Sequence, residues 1–209
     1  MKRMLVLVSA ALILVCCRNS VAAEEAEGGW ISLFDGTTLA GWKVGENADS
    51  FQVQDGAIVA HGPCAHLFYV GDVEGHDFKD FHFKAEVMTT PGSNSGLYFH
   101  TRYQESSWPE IGYEVQVNQT HGDPKKSSGL YGVCDVFTAP AKDNEWYTQE
   151  IIVRGKKIIT KVNGQTQVDY TEPDDVTGTR KLSSGTFAIQ AHDPKSTVYV
   201  RNIVVKALR

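Results

Sequence analysis

Alternating apolar and polar residues dominate the chain and predict short, half-buried strands. The alternation is clear in residues 51–54 (FQVQ), 81–87 (FHFKAEV), 113–117 (YEVQV) and 198–205 (VYVRNIVV), because successive side chains on a strand point to opposite faces. Asn163-Gly164 predicts a type I′ hairpin between residues 158–162 and 166–170. No helical periodicity extends beyond about two turns. The fold class is therefore all-β, and we expect a jelly-roll sandwich of two antiparallel sheets, closed by residues 30–34 and 198–207 as neighbouring strands.

The first 23 residues have the pattern of a secretion signal. Lys2 and Arg3 precede an apolar run over residues 5–17, and small residues follow up to Ala23. Cleavage there leaves residues 24–209 as one domain, and we expect an exported protein of the periplasm or extracellular space. A lipoprotein modified at Cys16 or Cys17 is the less favoured alternative, because the preceding residues are not small. The apolar run is too short for a membrane span, which takes roughly 18 residues or more.

The charge balance sets one class of partner aside. Removal of residues 1–23 takes away three basic and no acidic residues, so the net charge changes from −5 to −8. Nucleic acids attract basic surfaces, and no nucleic-acid partner is expected for a chain this acidic.

Two cysteines remain, Cys64 and Cys134. Export would permit a disulfide between them, and a pair of unpaired buried thiols is the alternative.

Three predicted strands each have a polar face backed by an apolar one. The polar positions are Asn94, Gly96, Tyr98, His100 and Arg102 on the first strand, Gly112, Glu114, Gln116 and Asn118 on the second, and Gln190 and His192 on the third. Side by side, these strands would form a concave, hydrogen-bonding surface with aromatic edges, which suits a sugar. The solvent-facing side of an ordinary antiparallel sheet shows the same alternation and is the structural alternative.

The sequence lacks the motifs of several kinds of catalytic site. No Gly-x-Ser-x-Gly nucleophile sequence, His-x-His pair or His-Glu-x-x-His cluster occurs. No cofactor is evident, while a divalent metal held by residues from separate strands stays open. Retaining glucanases of the concanavalin type carry Glu-x-Asp-x-x-Glu on a strand, with carboxylates about 5.5 Å apart. Residues 114–119 read EVQVNQ and keep only the carboxylate of Glu114, which argues against a two-carboxylate glycosidase on this strand.

A set of ordered motifs resembles one known family over residues 30–208. The motifs are WISLFDGTTLAGW at 30–42, NSGLYF at 94–99, GYEVQV at 112–117, Asn163-Gly164, Gln190-x-His192 and Arg201-Asn-Ile203. They resemble the 3-keto-α-glucoside-1,2-lyase/3-keto-2-hydroxy-glucal hydratase family, also called 3-keto-disaccharide hydrolase and formerly domain of unknown function 1080. The resemblance implies a concanavalin A-like jelly roll, export in bacteria, and a 3-keto saccharide substrate that a separate sugar C3 dehydrogenase has oxidised.

A ketone at C3 acidifies the proton on C2, so one base can start an elimination that breaks the C1–O bond. Water then adds to the resulting glucal, and the net reaction is hydrolysis. The hypothesis assigns Glu114 as the base and His192 or His121 as the acid. The remaining assignments are Arg102, Gln116 and Lys126 as donors to the keto sugar, Asn94, His100, Tyr131 and Gln190 as positioning residues, and Trp108 as a stacking platform.

Two other functions are compatible with the same sequence. A non-catalytic, lectin-like carbohydrate-binding domain would use the same polar face without a perturbed acid or base. A structural or adhesive exported domain would have a shallow or covered face. The glycoside, its anomer and the oligomeric state are not encoded in any recognisable motif.

Overall fold

The structure, a computed structural model, describes residues 25–26 and 29–208, and within them fourteen strands form two antiparallel sheets. The strands are β1 (Glu25–Ala26), β2 (Trp30–Ser32), β3 (Trp42–Val44), β4 (Phe51–Gln54), β5 (Ala57–His61), β6 (Ala65–Tyr69), β7 (Phe81–Thr89), β8 (Asn94–Thr101), β9 (Tyr113–Asn118), β10 (Tyr147–Arg154), β11 (Lys157–Val162), β12 (Gln165–Thr171), β13 (Thr186–Ala191) and β14 (Thr197–Ala207). Two short 3₁₀ helices span Ala48–Ser50 and Val73–His76. The predicted all-β fold is confirmed, whereas the predicted signal peptide lies outside the described residues.

The large sheet has the order β1-β2-β14-β7-β10-β11-β12, and β5, with β4 beside it, pairs with the first half of β14. The small sheet has the order β3-β6-β13-β8-β9. Ile31 of β2 lies opposite Val205 of β14, which confirms the expected pairing of the first and last segments. The three strands predicted to have a polar face, β13, β8 and β9, are neighbours in the small sheet.

The core lies between the sheets and follows directly from the alternation in sequence. On β7 every second residue is buried. Phe187 of β13 connects the sheets, because its ring lies 4.9 Å from that of Phe81 and 4.7 Å from that of Phe83 on β7, between ring centroids. Edge-to-face and tilted aromatic pairs of this kind add to the hydrophobic free energy of burial. These contacts pack the small sheet against the large one.

The other face of the small sheet is also covered. Every residue of β8, β9 and β13 is buried, although strands with one solvated face normally alternate between buried and exposed positions. Residues from the loops 102–112, 119–146 and 172–185 line this face together with strand residues. The face that alternation marked as polar is thus the floor of a pocket.

Two further expectations concern the cysteines and the membrane. Cys64 and Cys134 are both free thiols, so the structure matches the unpaired alternative. None of the described helices has the length and apolar character needed to cross a bilayer.

Gly164 offers a test of the predicted hairpin turn between β11 and β12. Asn163 and Gly164 have φ angles of 48° and 78°, as a type I′ turn requires. A Cβ at Gly164 would meet no atom within 4 Å, so the cost of Gly164→Ala comes from the backbone alone. We expect a loss of about 1 kcal/mol in the free energy of unfolding, measured by urea denaturation.

Gly122→Ala is the matched control for this variant. A Cβ at Gly122 also meets no atom within 4 Å, and the residue does not have a positive φ. Its free energy of unfolding should stay within about 0.5 kcal/mol of the starting protein. Equal stability of the two variants would contradict the turn assignment.

Candidate functional site

A pocket of about 260 Å³ opens on the covered face of the small sheet. Its floor consists of strand residues and its walls come from the surrounding loops. The lining residues are Asn94, Tyr98, Trp108, Pro109, Glu114, Gln116, Asp123, Tyr131, Arg180, Gln190 and His192. A concave site with a few convergent polar groups among aromatic rings is typical of a small-molecule site.

Glu114 lies in the floor of this pocket, 9% exposed. It is opposite Tyr98 on β8, and the next facing position on β8 is Gly96. A Cβ at Gly96 would come within 2.5 Å of Glu114 Oε1 and 2.9 Å of its Cγ. The missing side chain at Gly96 therefore provides the space in which the Glu114 carboxylate lies.

Hydrogen bonds from two neighbouring strands meet at Glu114. Gln190 Nε2 donates to the Tyr98 hydroxyl at 2.7 Å, and Tyr98 and Gln190 both hydrogen-bond the carboxylate. Burial nevertheless raises the pKa of Glu114, because it outweighs these hydrogen bonds and the positive charge of Arg180. Burial and the neighbouring Glu114 also raise the pKa of Tyr98 far above its usual value. A carboxyl group whose pKa is raised by burial in a pocket is a candidate for proton transfer.

The loop after β9 is organised by Asn118 and Lys126. Asn118 Nδ2 donates to the carbonyls of Asp123 (3.0 Å) and Lys125 (2.8 Å), and its Oδ1 accepts from the His121 N–H at 2.8 Å. Lys126 Nζ donates to the carbonyls of His121 and Asp123, both at 2.9 Å. These bonds fix the backbone that presents His121 beside the pocket and Asp123 in its wall.

A second carboxylate, Asp123, belongs to the loop rather than to the strand. Its Oδ1 accepts from the Lys125 N–H at 2.8 Å, and its Oδ2 accepts from the Tyr131 hydroxyl at 3.2 Å. Arg180 Nη1 donates to the Tyr131 carbonyl at 2.6 Å. Asp123 therefore holds the pocket wall together through both of its oxygens.

A histidine pair lies at one side of the pocket. His192 Nδ1 is 2.8 Å from Asp193 Oδ2, and the His121 and His192 rings are 5.6 Å apart between centroids. Among the described residues, these three form the single group in which potential metal-ligand atoms all lie within 4.8 Å. His121 Nδ1 and His192 Nδ1 are both hydrogen-bonded, which fixes the orientation of the two rings. The arrangement suits proton transfer, which uses such oriented imidazoles.

Trp108 forms the aromatic edge of the pocket. Its side chain is 48% exposed, and its ring contacts His66 at 5.5 Å and His192 at 5.7 Å between centroids. Burial, together with the positive charge of a protonated His192, lowers the pKa of His66 to about 4. His66 is therefore a neutral, buried support for the tryptophan.

Most of the residues proposed from sequence meet at this pocket. Those that line it are Asn94, Trp108, Glu114, Gln116, Tyr131, Gln190 and His192. His121 lies beside it, with Nδ1 3.3 Å from Asn94 Nδ2. The structure therefore brings eight proposed residues together, while their chemical roles stay hypotheses.

Three proposed residues lie elsewhere. His100 has a φ of 55°, which interrupts the alternation of β8, and its ring packs on the core rings of Phe81 and Phe99. Arg102 follows the end of β8, is exposed and does not line the pocket. The Lys126 ammonium is occupied by backbone carbonyls of its own loop. None of these three side chains lines the pocket, and their assignment to substrate contacts stays a prediction.

Four lining residues were missing from the sequence hypothesis: Tyr98, Pro109, Asp123 and Arg180. The strand alternation places Tyr98 on the same polar face as Asn94, but the hypothesis assigns it no role. Asp123 lies in a loop rich in polar residues and glycine. Arg180 lies in the loop between β12 and β13, where no periodic pattern indicates which side chains turn inward.

The fold and pocket define a concanavalin A-like jelly roll with a site on the concave side of its smaller sheet. Residues 29–206 match the family described as the 3-keto-alpha-glucoside-1,2-lyase-like domain. Since the match covers most of the sequence, the chain belongs to this family. It is also 27% identical over 172 residues to a 3-keto-disaccharide hydrolase of Bacteroides thetaiotaomicron. The alignment covers 68% of this chain and 58% of that relative's length.

Solved structures support the same fold. A putative glycosyl hydrolase from Parabacteroides distasonis superposes with a TM-score of 0.73 at 22% identity, covering 87% of this chain and 94% of the other. The carbohydrate-binding module CBM66 of Bacillus subtilis gives a TM-score of 0.58 at 12% identity, covering 80% and 96%. A β-glucanase of Bacillus licheniformis gives 0.57 at 12% identity, covering 88% and 100%. At these identities the likeness concerns the fold, which serves both binding and catalysis.

Gly96→Ala tests whether space beside β8 positions the Glu114 carboxylate. The added methyl group would displace the carboxylate from Tyr98, and a misplacement of about 1 Å can lower activity roughly 10²-fold. We expect turnover that depends on the Glu114 carboxylate to fall by about this factor, with a circular dichroism spectrum like that of the starting protein. Gly122→Ala adds the same methyl group in open space and should keep full activity. Full activity of Gly96→Ala would show that the position of Glu114 is not limiting.

Proposed function

We propose that this protein is an enzyme that cleaves 3-keto-glycosides by elimination across C1 and C2, followed by addition of water, so that the net reaction is hydrolysis. The family match and the name of the Bacteroides relative support the substrate class. The observation that carries the proposal is the pairing of a buried Glu114 of raised pKa with the carboxylate-bound imidazole of His192 in one pocket. Such a pair can move the two protons that an elimination requires.

The pocket also has the acceptors that a sugar needs. The side-chain carbonyl oxygens of Asn94 and Gln190 are buried, and no described residue donates a hydrogen bond to either. A buried acceptor without a donor costs about 1–3 kcal/mol. Sugar hydroxyl groups would satisfy both oxygens, and Trp108 at the rim provides a surface for the apolar face of a ring.

A ketone at C3 allows cleavage without a carboxylate nucleophile. It makes the C2 proton acidic, so a base can remove it and form an enolate before the C1–O bond breaks. Ordinary retaining glycosidases need two carboxylates about 5–5.5 Å apart for acid and nucleophile. Here Asp123 is bound through both oxygens to its own loop, which favours elimination over displacement.

The proposed setting follows from the substrate. A 3-keto-glycoside must be produced by a sugar C3 dehydrogenase acting earlier. The predicted secretion signal supports the proposal that this protein works outside the cytoplasm.

The proposal predicts that the purified protein consumes 3-keto-trehalose or a 3-keto-glucoside and releases free 3-keto sugar. Reactions run in deuterated water should place deuterium at C2 of the product, because elimination and hydration exchange that hydrogen with solvent. The transient glucal and the product can be followed by NMR, with and without a chelator, which also tests metal dependence.

The unoxidised parent glycosides are the substrate controls and should not react. Equal cleavage of parent and keto sugars, or product without deuterium at C2, would indicate a two-carboxylate hydrolase. Binding of the keto sugar without any product would indicate a carbohydrate-binding domain.

Glu114→Gln is predicted to lower kcat by roughly 10²–10⁴-fold, the usual contribution of a general acid or base. The amide has nearly the same shape as the carboxyl group, but it cannot exchange the proton. Steady-state kinetics on a 3-keto-glucoside measure the loss. Glu145→Gln, which changes an exposed glutamate outside the pocket, should leave the kinetics unchanged. Retained turnover in Glu114→Gln would remove this residue from the reaction.

A further inference from the structure

The hydrogen bonds around Asp193 determine which nitrogen of His192 carries hydrogen. Asp193 Oδ1 accepts from the Lys195 N–H at 2.8 Å, and its Oδ2 accepts from the Ser196 hydroxyl at 2.7 Å and lies 2.8 Å from His192 Nδ1. Burial raises the pKa of Asp193, but these hydrogen bonds outweigh it and lower the pKa to about 2. An ionised carboxylate only accepts, so Nδ1 of His192 must donate. Neutral His192 therefore has its lone pair on Nε2.

The hydrogen bonds of His121 require the opposite tautomer. His121 Nδ1 is 3.1 Å from the backbone N–H of Asp123, which can only donate, and 3.3 Å from Asn94 Nδ2. Nδ1 therefore accepts, and neutral His121 carries its hydrogen on Nε2. The two neighbouring imidazoles thus differ in kind, since His192 offers a lone pair and His121 offers an N–H.

Glu114 completes the set of proton-transfer groups. It is buried on a strand, and burial raises its pKa, which shifts its carboxyl group toward the protonated form. A protonated carboxyl group can donate to the oxygen of a departing alcohol. The pocket therefore contains one oriented acceptor and one buried donor.

We propose that Asp193 is a positioning residue that holds His192 as the base for the C2 proton, with Glu114 as the acid for the leaving oxygen. This inference rests on the proposed function and reverses the roles expected from the sequence for Glu114 and His192. His121, through its Nε2–H, donates to the enolate oxygen at C3, where negative charge develops.

The proton and electron balance of elimination follows from these roles. His192 Nε2 takes the proton from C2, and the electron pair of that C–H bond passes to the C3 oxygen as an enolate. The enolate returns to the ketone as the C1–C2 double bond forms and the C1–O bond breaks. The leaving oxygen takes the proton of Glu114. Elimination thus ends with His192 protonated and Glu114 ionised.

Hydration starts from the protonation state that elimination leaves, so no other acid or base has to restore His192 and Glu114 first. Ionised Glu114 accepts a proton from water as the water oxygen bonds to C1, and protonated His192, whose Nε2 hydrogen exchanges with solvent between the two half-reactions, returns a proton to C2. Both groups are then back in their initial states. A single acid–base pair therefore serves both half-reactions, with water in place of the leaving alcohol.

Asp193→Asn tests the role of the carboxylate. Asparagine can offer an N–H to Nδ1 and so select the tautomer with hydrogen on Nε2, which cannot accept the C2 proton. We expect kcat to fall by roughly 10²–10⁴-fold with KM little changed. NMR of the ¹⁵N-labelled imidazoles should show the hydrogen of His192 on Nδ1 in the starting protein and on Nε2 in the variant. Asp193→Glu, which keeps the negative charge, should recover part of the lost rate.

Glu150→Gln is the matched control. Glu150 Oε2 lies 2.7 Å from His82 Nε2 on the large sheet, so the variant changes a histidine–carboxylate pair away from the pocket. Its kinetics and the His192 tautomer should be unchanged.

The outcomes separate this inference from the proposed function. If the starting protein turns over 3-keto-glycosides but Asp193→Asn matches it in kcat, the positioning role is wrong and the proposed function stands. If His192 carries its hydrogen on Nε2 in the starting protein, the inference also fails. If the starting protein has no such turnover, the proposed function fails, although NMR can still identify which nitrogen of His192 carries hydrogen.

Discussion

A carboxylate buried in protein needs compensation for the water it loses, and this requirement organises the pocket around Glu114. Isolated buried charges are costly, so they are paired, hydrogen-bonded or neutralised by protonation. Tyr98 and Gln190 hydrogen-bond the carboxylate, Arg180 contributes positive charge, and Gly96 leaves the space. These groups come from β8, β13 and a loop. The register of the small sheet must therefore be unique, because a slip of one residue would turn Glu114 into the core.

The sandwich core enforces that register. The strand residues that alternate with the pocket residues are Leu97, Val115 and Ile189, all at most 2% exposed. A slip would expose them while it buried polar groups, so the hydrophobic free energy that packs the sheets also positions the pocket floor. The aromatic contacts of Phe187 with β7 extend this restraint to the large sheet. Stability and site geometry thus depend on the same strand pairings.

Strand periodicity explains how much of this site could be predicted from sequence. It identified the pocket-facing positions Asn94, Glu114 and Gln190, because their strands are regular and pair directly. It failed at His100, where a left-handed backbone conformation ends the alternation. Loops have no period, so nothing in the sequence showed that Arg180 turns toward the pocket. The partners of Lys126 are backbone carbonyls, and their positions depend on the folded loop and could not be predicted from the sequence.

Burial of the Glu114 carboxylate is unfavourable, but in the proposed reaction it has a chemical use. Protonation of the leaving alcohol leaves an ionised carboxylate in a pocket that raises its pKa, and this makes the carboxylate a stronger base than an exposed glutamate. It is then suited to take a proton from the water that adds to C1. The ionised Asp193 beside His192 acts in the opposite sense, since it stabilises the imidazolium that forms in the first step. A buried acid on β9 and a carboxylate-oriented base just after β13, on the other side of β8, can therefore alternate their protons within one pocket.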